Sequence, residues 1–281
     1  MTDLKKKTRE LCRIYGIKPA RELGQHFLVD AAVLDDIVRV AALPSLCAVI
    51  EIGPGFGVLT ERLAEGSREV FAIELDAKLA QVLQGKFSAY PHVHVVHDDI
   101  FRWLRASTAV VASKPYAIVA NLPYNIASHV LRVFLELSPK PVQMTVLLQK
   151  EVAERLTASA GDTSVLSIMA QAYANPRLVR TIAQSSFWPE PAVESALVVL
   201  DAPQWKFPQI AERDFFRVVK AGFSARRKKL VNNLAAVLRL SSDDAHHALS
   251  SAGIPRLARA QELTLEQWAE LVLEISGLKT G

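Results

Sequence analysis

Between residues 48 and 148, short apolar runs rich in β-branched residues alternate with amphipathic stretches, and this rhythm limits the folds open to the chain. The runs are Ala48–Ile52, Val70–Ile73, Val93–Val96, Ala117–Ala120 and Met144–Leu148. Leu79, Val82 and Leu83 share one helical face between them, as do Val130, Leu131, Phe134 and Leu137. Strand–helix alternation predicts an α/β fold with a doubly wound parallel sheet. Upstream, Leu34, Ile37, Val38 and Ala41 form another helical face, with Asp30 placed to cap it. Leu178–Ile182 and Ala196–Leu200 read as two later strands separated by a Pro-rich loop. Asp201–Pro208 reads as a connector.

Beyond it only helical patterns remain. Phe215, Phe216, Val219 and Phe223 share a face, and Thr264 to Gln267 reads as a capping box before Leu265, Trp268, Leu271, Val272 and Ile275. The expected division is a basic N-terminal arm (1–30), a sheet domain (31–204) and an all-helical domain (205–281). Half of the 281 residues are hydrophobic and 22% are charged, which excludes a disordered chain. No run of 18 apolar residues offers a membrane span, and the polar, basic start is unlike a secretory signal. Cys12 and Cys47 fit no redox or metal spacing, and neither do the seven histidines, so no metal and a cytoplasmic location are expected. Charge sits at the ends: residues 1–30 carry 7 Lys+Arg against 4 Asp+Glu, residues 201–281 carry 12 against 9, and the middle carries 14 against 16. Two basic ends fit a polyanionic partner.

Glu51-Ile-Gly53-Pro-Gly55-Phe-Gly57 lies between an apolar strand and a helix. Glycine lets a backbone turn sharply and approach a ligand where a Cβ would clash, and the helix start offers free N–H groups. Such a loop is also a plain strand-to-helix turn. Its context adds Glu74, 17 residues after Gly57 at the end of the next strand. An acid there can accept hydrogen bonds from both ribose hydroxyls of a nucleoside. NAD is one candidate. The acid before the glycines and Pro54 among them instead resemble the E-x-G-x-G-x-G loop of S-adenosylmethionine enzymes. Asp76 is placed to cap the next helix. Asp98-Asp99 follows the third run, where a carboxylate can accept an adenine amine or simply be solvated.

Asn121-Leu122-Pro123-Tyr124 follows the fourth run, at the strand end where doubly wound folds bind ligands. An exocyclic amine is a poor nucleophile because its lone pair is delocalised into the base. Two fixed acceptors beside its hydrogens favour a pyramidal nitrogen and aim its lone pair at a sulfonium methyl. The Asn121 side-chain carbonyl and the Leu122 backbone carbonyl can be those acceptors. Pro123 stiffens the turn, and the Tyr124 ring can face the cationic transition state.

The chain resembles the ribosomal RNA adenine dimethyltransferase family over nearly its whole length, and most of all its bacterial small-subunit (16S) members. Gly24-Gln25-His26-Phe27-Leu28 is similar to the family's G-Q-N-F-L element, with His26 where Asn is usual. Glu51–Gly57, Ile73–Asp76, Asp99 and Asn121–Asn125 follow in the family's order. Leu148–Val152 matches its L-Q-K-E-V segment, Phe187–Ser195 its F-x-P-x-P-x-V-x-S, and Phe223–Lys228 its basic F-x-x-R-R-K turn.

The resemblance implies a Rossmann-like class I methyltransferase sheet with a smaller C-terminal helical domain. It implies S-adenosyl-L-methionine as cofactor, with His26 and Leu28 bordering its methionine end, Gly53 and Gly55 against it, Glu74 on its ribose and Asp99, by register, on its adenine. Asn121 to Tyr124 would hold the target amine, and Phe187 would stack on the target base. The partner implied is the small ribosomal subunit and its 16S rRNA, met by a monomer. Arg226, Arg227, Lys228 and Lys229 read as phosphate contacts on a helical surface, and Lys5–Lys7 as a mobile arm. Three rivals stay open: a large-subunit methyltransferase conferring antibiotic resistance, a DNA adenine methyltransferase, and a non-catalytic ribosome assembly factor. Arg259-Ala260-Gln261-Glu262-Leu263, similar to the small-subunit members' tail, argues against the first.

Overall fold

The computed structural model describes residues 3–19, 24–43, 47–107 and 114–278. Its first elements are α1 (Asp3–Ile14), β1 (Phe27–Leu28), α2 (Ala31–Ala41), β2 (Ala48–Ile52), α3 (Val58–Gly66), β3 (Glu69–Glu74), α4 (Ala77–Lys86), β4 (Val93–His97), α5 (Ile100–Ala106), β5 (Tyr116–Asn121) and α6 (Ala127–Glu136). Then follow β6 (Gln143–Gln149), α7 (Lys150–Leu156), α8 (Val165–Tyr173), β7 (Asn175–Ile182), β8 (Phe187–Trp188), β9 (Ser195–Asp201), α9 (Glu212–Gly222), α10 (Leu230–Leu238), α11 (Ser242–Ser251) and α12 (Leu265–Gly277).

Among the described residues, seven strands form one sheet in the order β4-β3-β2-β5-β6-β9-β7. β4 through β6 pair in parallel. Helices cover both faces of such a sheet, which is why all of β2 is buried and its sequence is a continuous apolar run broken only by Glu51. The chain winds outward from β2 to β4, then returns to the other side of β2 as β5. Where winding reverses, between β2 and β5, a crevice opens at the strands' carboxyl ends.

The five runs expected to lie parallel, β2 through β6, do so, and the later strand β9 makes the sheet mixed. β9 runs antiparallel to β6, from Gln143 opposite Asp201 to Gln149 opposite Ser195. The reason lies in the chain just before it. β8 pairs with β1, placing Leu28 opposite Phe187, so β9 enters the sheet from the carboxyl end and must run backwards.

Local signals behave as their chemistry dictates. Asp30 accepts from the Ala32 N–H at the start of α2, and Asp76 accepts from Lys78 and Leu79 at the start of α4. The Thr264–Gln267 capping box is present at α12. The N-terminal arm is not mobile chain but the helix α1. Its Thr8 and Cys12 are buried and Lys5 pairs with Glu190 at 3.0 Å. Residues 1, 2 and 20–23 of that arm, and 279–281 at the other end, lie outside the described residues.

Two compact units divide the chain: Met1–Ala153 with Arg177–Pro203, and Glu154–Pro176 with Gln204–Gly281. This corrects the reading of 31–204 as one domain, because Glu154–Pro176 clusters with the C-terminal helices. The cause is an aromatic cluster. The Tyr173 ring at the end of α8 lies 5.2 Å from Trp205 and 5.9 Å from Phe216, and Trp205 also meets Phe207 and Phe215. The Gln204 N–H donates to the Tyr173 carbonyl at 2.7 Å.

Candidate active site

A cavity of about 410 Å³ opens at the carboxyl ends of β2, β3, β4 and β5, within the first unit. The glycine loop forms its floor. Gly53 has φ of 68°, and a Cβ there would sit 3.3 Å from the Pro123 ring. A Cβ on Gly55, with φ of 60°, would meet the Phe27 ring at 3.0 Å. These backbone positions reject a side chain, so the loop lies close under Pro123 and Phe27.

Glu74, at the end of β3, is buried and holds the loop in place. Its Oε2 accepts from the Gly55 N–H at 3.1 Å and its Oε1 from the Asp76 N–H at 2.9 Å. Burial raises its carboxyl pKa, while the two backbone donors oppose that shift. Each oxygen keeps a further lone pair. Asp98 and Asp99 line the cavity together. Asp99 caps α5, its Oδ1 accepting from Phe101 and Arg102 N–H at 3.0 Å each, and Oδ2 takes no part in the cap. Asp98 accepts from the Asp99 N–H at 2.7 Å and pairs with Arg102.

The Asn121 side chain is fixed by β1's flank. Its Nδ2 donates to the His26 carbonyl at 3.0 Å, which leaves Oδ1 as a bare acceptor. His26 Nδ1–H donates to the Pro189 carbonyl at 2.7 Å, and its ring lies 5.4 Å from the Tyr124 ring. No described residue donates to the Leu122 carbonyl. The Tyr124 hydroxyl is hydrogen-bonded to Ser195 Oγ at 2.7 Å, and burial raises its pKa. His26, Leu28, Gly53, Gly55, Glu74, Asp99 and Asn121 to Tyr124 thus converge on one cavity.

Phe187 does not join them. Its ring is fully buried in a core cluster with Leu28, Ile37, Val119 and Leu197. The β1–β8 register turns it inward, opposite Leu28, which does line the cavity. Arg226 to Lys229 are all exposed, on the turn between α9 and α10 rather than on a helix face. Beneath that turn the buried Asn233 donates from Nδ2 to the Gly222 carbonyl at 2.6 Å and the Ala225 carbonyl at 3.0 Å.

Thr8 and Glu51 also line the cavity, without a ligand-binding role read from the sequence. Thr8 reaches the lining from α1, on the inward face it shares with Leu4, Leu11 and Cys12. Glu51 lies at the end of β2, fully buried, its Oε2 accepting from the Thr60 hydroxyl at 2.6 Å. Burial, with Glu74 nearby, lifts its carboxyl pKa to about 8. Among the described residues no cluster of three or more His, Cys, Asp or Glu could hold a metal, and no helix is long and apolar enough to cross a membrane.

A mixed sheet built on parallel strands, a glycine loop braced by an acid at the next strand's end and an Asn-Leu-Pro-Tyr turn over the same cavity define a Rossmann-like class I methyltransferase. Comparison with known proteins narrows the class. The chain belongs to the family described as ribosomal RNA adenine dimethylase, whose model matches residues 17–276. It is 43% identical to "Ribosomal RNA small subunit methyltransferase A" of Dehalococcoides mccartyi (strain ATCC BAA-2266), covering 94% of this chain and 91% of that protein. The protein of the same name from Alkaliphilus oremlandii is 35% identical over 95% of each chain. Among solved structures, the 23S rRNA methyltransferase ErmE is similar with a TM-score of 0.69 and 27% identity, covering 89% of this chain and 99% of that one. A dimethyladenosine transferase from Plasmodium falciparum shares the fold with a TM-score of 0.75 at 23% identity, covering 90% and 98%.

Proposed function

We propose that this chain transfers methyl groups from S-adenosyl-L-methionine to N6 of two adjacent adenosines near the 3′ end of 16S rRNA in the small ribosomal subunit, giving N6,N6-dimethyladenosine. The observation that carries the reading is the Asn121 amide, held by the His26 carbonyl so that Oδ1 is left as an acceptor in the cavity. The names and high coverage of the small-subunit relatives support the choice of substrate.

The residues present fit the cofactor. The volume lies in the ordinary range for small-molecule sites, about 300–1,000 Å³. Glu74 keeps lone pairs for ribose hydroxyls, Asp99 Oδ2 suits an adenine amine, and the bare Gly53–Gly55 backbone admits close approach. His26 and Leu28 border the methionine end. When bound, the cofactor supplies an electrophilic methyl on a sulfonium sulfur.

This chain's residues then position the amine. Asn121 Oδ1 and the Leu122 carbonyl accept its two hydrogens and direct the nitrogen lone pair. Pro123 keeps the turn rigid without offering a competing donor. The Tyr124 ring face stabilises positive charge developing on the transferring group. The methylated amine is acidic and sheds its proton without a strong base, so positioning and electrostatics carry the catalysis. Arg226, Arg227, Lys228 and Lys229 contact RNA phosphates from their exposed turn. We infer action as a monomer on ribosomal subunits in the cytoplasm.

The test is to incubate the protein with radiolabelled S-adenosylmethionine and small subunits from a strain lacking the modification, with large subunits and DNA in parallel, and to analyse digested nucleosides. Labelled dimethyladenosine from small-subunit RNA alone is expected. Label confined to large-subunit RNA or DNA would reassign the substrate. No label anywhere, with tight small-subunit binding, would make the chain an assembly factor.

A further inference from the structure

The helix α1 has two faces with different employment. Thr8, Leu11 and Cys12 pack inward, and Thr8 lines the cavity itself. Two polar bonds fasten the element. Lys5 pairs with Glu190 at 3.0 Å, and Lys78 Nζ donates to the Gly16 carbonyl, just past the helix end, at 3.2 Å. α1 is therefore a fixed wall of the site.

The outward face carries Lys6, Lys7, Glu10 and Arg13, all exposed, with Asp3 at the start of the helix. Among the described residues Lys6, Lys7 and Arg13 form no ion pair, whereas Lys5 and Arg9 are engaged. The face ends in an exposed apolar residue, Ile14, at 59% exposure. Three exposed cations without ion-pair partners among the described residues, on one helix beside the cavity, suit a polyanion. A helix is about 10–12 Å across, so this face lies only that far from the cavity wall formed by Thr8. Lys6 and Arg13 are seven residues apart, or about 10 Å along the axis at about 1.5 Å per residue, enough for more than one phosphate.

We propose that the outer face of α1, through Lys6, Lys7 and Arg13, binds the phosphodiester backbone of the RNA strand that leads into the cavity. This rests on the reading of the chain as an RNA methyltransferase. It assigns the first helix a substrate-binding role separate from that of the basic turn at Arg226–Lys229.

The test compares the full chain with the triple variant Lys6→Gln, Lys7→Gln, Arg13→Gln. Binding to unmethylated small subunits is measured across a potassium chloride series at constant magnesium, and cofactor affinity by calorimetry. Losing three phosphate contacts lowers the slope of log affinity against log salt by about 2, at about 0.7 per single-strand contact. Affinity at moderate salt falls at least about tenfold, while cofactor affinity stays at the wild-type value. The charge-preserving variant Lys6→Arg, Lys7→Arg, Arg13→Lys restores both slope and affinity. Should the triple variant misfold, Lys6→Gln and Arg13→Gln singly, each expected to lower the slope by about 0.7, decide the matter. A slope and affinity equal to wild type in the variants overturns the proposal. Dimethyladenosine formation by the wild-type chain is scored separately, so failure of the enzymatic reading shows as absent label whatever the salt slopes are.

Discussion

Asn121 Nδ2 donates to the backbone carbonyl of His26, 95 residues earlier in the chain, at 3.0 Å. A side-chain amide has two ends, and only one of them can accept a hydrogen bond. The His26 carbonyl occupies the donating end, so the accepting end is selected before any substrate arrives.

Removing that acceptor separates chemistry from cofactor binding. Asn121→Ala is expected to lower single-turnover methyl transfer at least about a hundredfold, as loss of positioning commonly does. Cofactor affinity read by calorimetry should change only slightly. Wild-type transfer in this variant would end the positioning account.

Tyr124 offers a ring and a hydroxyl, with separate duties. The hydroxyl bonds Ser195 on β9 at 2.7 Å, a structural link between two strands' ends. Tyr124→Phe keeps the ring and loses one hydrogen bond, about 0.5–1.5 kcal/mol, so transfer should stay within about tenfold of wild type. Tyr124→Ala removes the face presented to the methyl and should cost at least about a hundredfold in the same single-turnover assay. Equal losses in the two variants would place the function in the hydroxyl.

Glu51 gives a pH signature. Its folded pKa of about 8 lies above the ordinary 4.5, so the folded state holds a proton that the unfolded state releases between those values. Its contribution to stability is fully present below pH 4.5 and is lost as pH rises through about 8. Glu51→Gln mimics the neutral acid and retains an acceptor for Thr60. The wild-type chain should lose up to about 1.4 kcal/mol per pH unit relative to this variant across that window. Denaturant midpoints measured for both proteins from pH 5 to 9 check this, and parallel curves would refute it.

Gly222 closes α9 against Trp268. A Cβ there would lie 2.4 Å from Trp268 Cη2 and 2.9 Å from Leu230 Cδ1, both on fully buried side chains. Gly222→Ala should destabilise the helical unit by about 1–3 kcal/mol, the usual cost of overpacking. Differential scanning calorimetry should show the loss, with cofactor affinity unchanged because the cavity lies in the other unit.

The strands β2 through β6 were legible to within a residue or so at each end, since strands buried on both faces must be written as apolar runs. The direction of β9 was not, because the pattern Ala196–Leu200 reads alike either way along a sheet. α1 was hidden by Lys5–Lys7, whose charge masks an inward face of only Leu4, Thr8, Leu11 and Cys12. Glu154–Pro176 was misassigned because the chain enters the helical unit, leaves it for β7 and comes back. Within the site, Glu74 and Asn121 announced themselves by chemistry at a strand end. The burial of Phe187 was not legible, because its register opposite Leu28 is a property of pairing, which no local pattern records.

The bonds from Gly55 and Asp76 N–H tie the glycine loop to Glu74 at the end of β3. The scaffold itself thus braces the loop, and arrival of a nucleoside is expected to need little ordering of this segment. Ligand capture should then behave as a simple encounter, with one kinetic phase whose observed rate rises linearly with concentration. The same bonds tie affinity to the scaffold: a change that frees Gly55 from Glu74 would reintroduce a slow, concentration-independent step before binding.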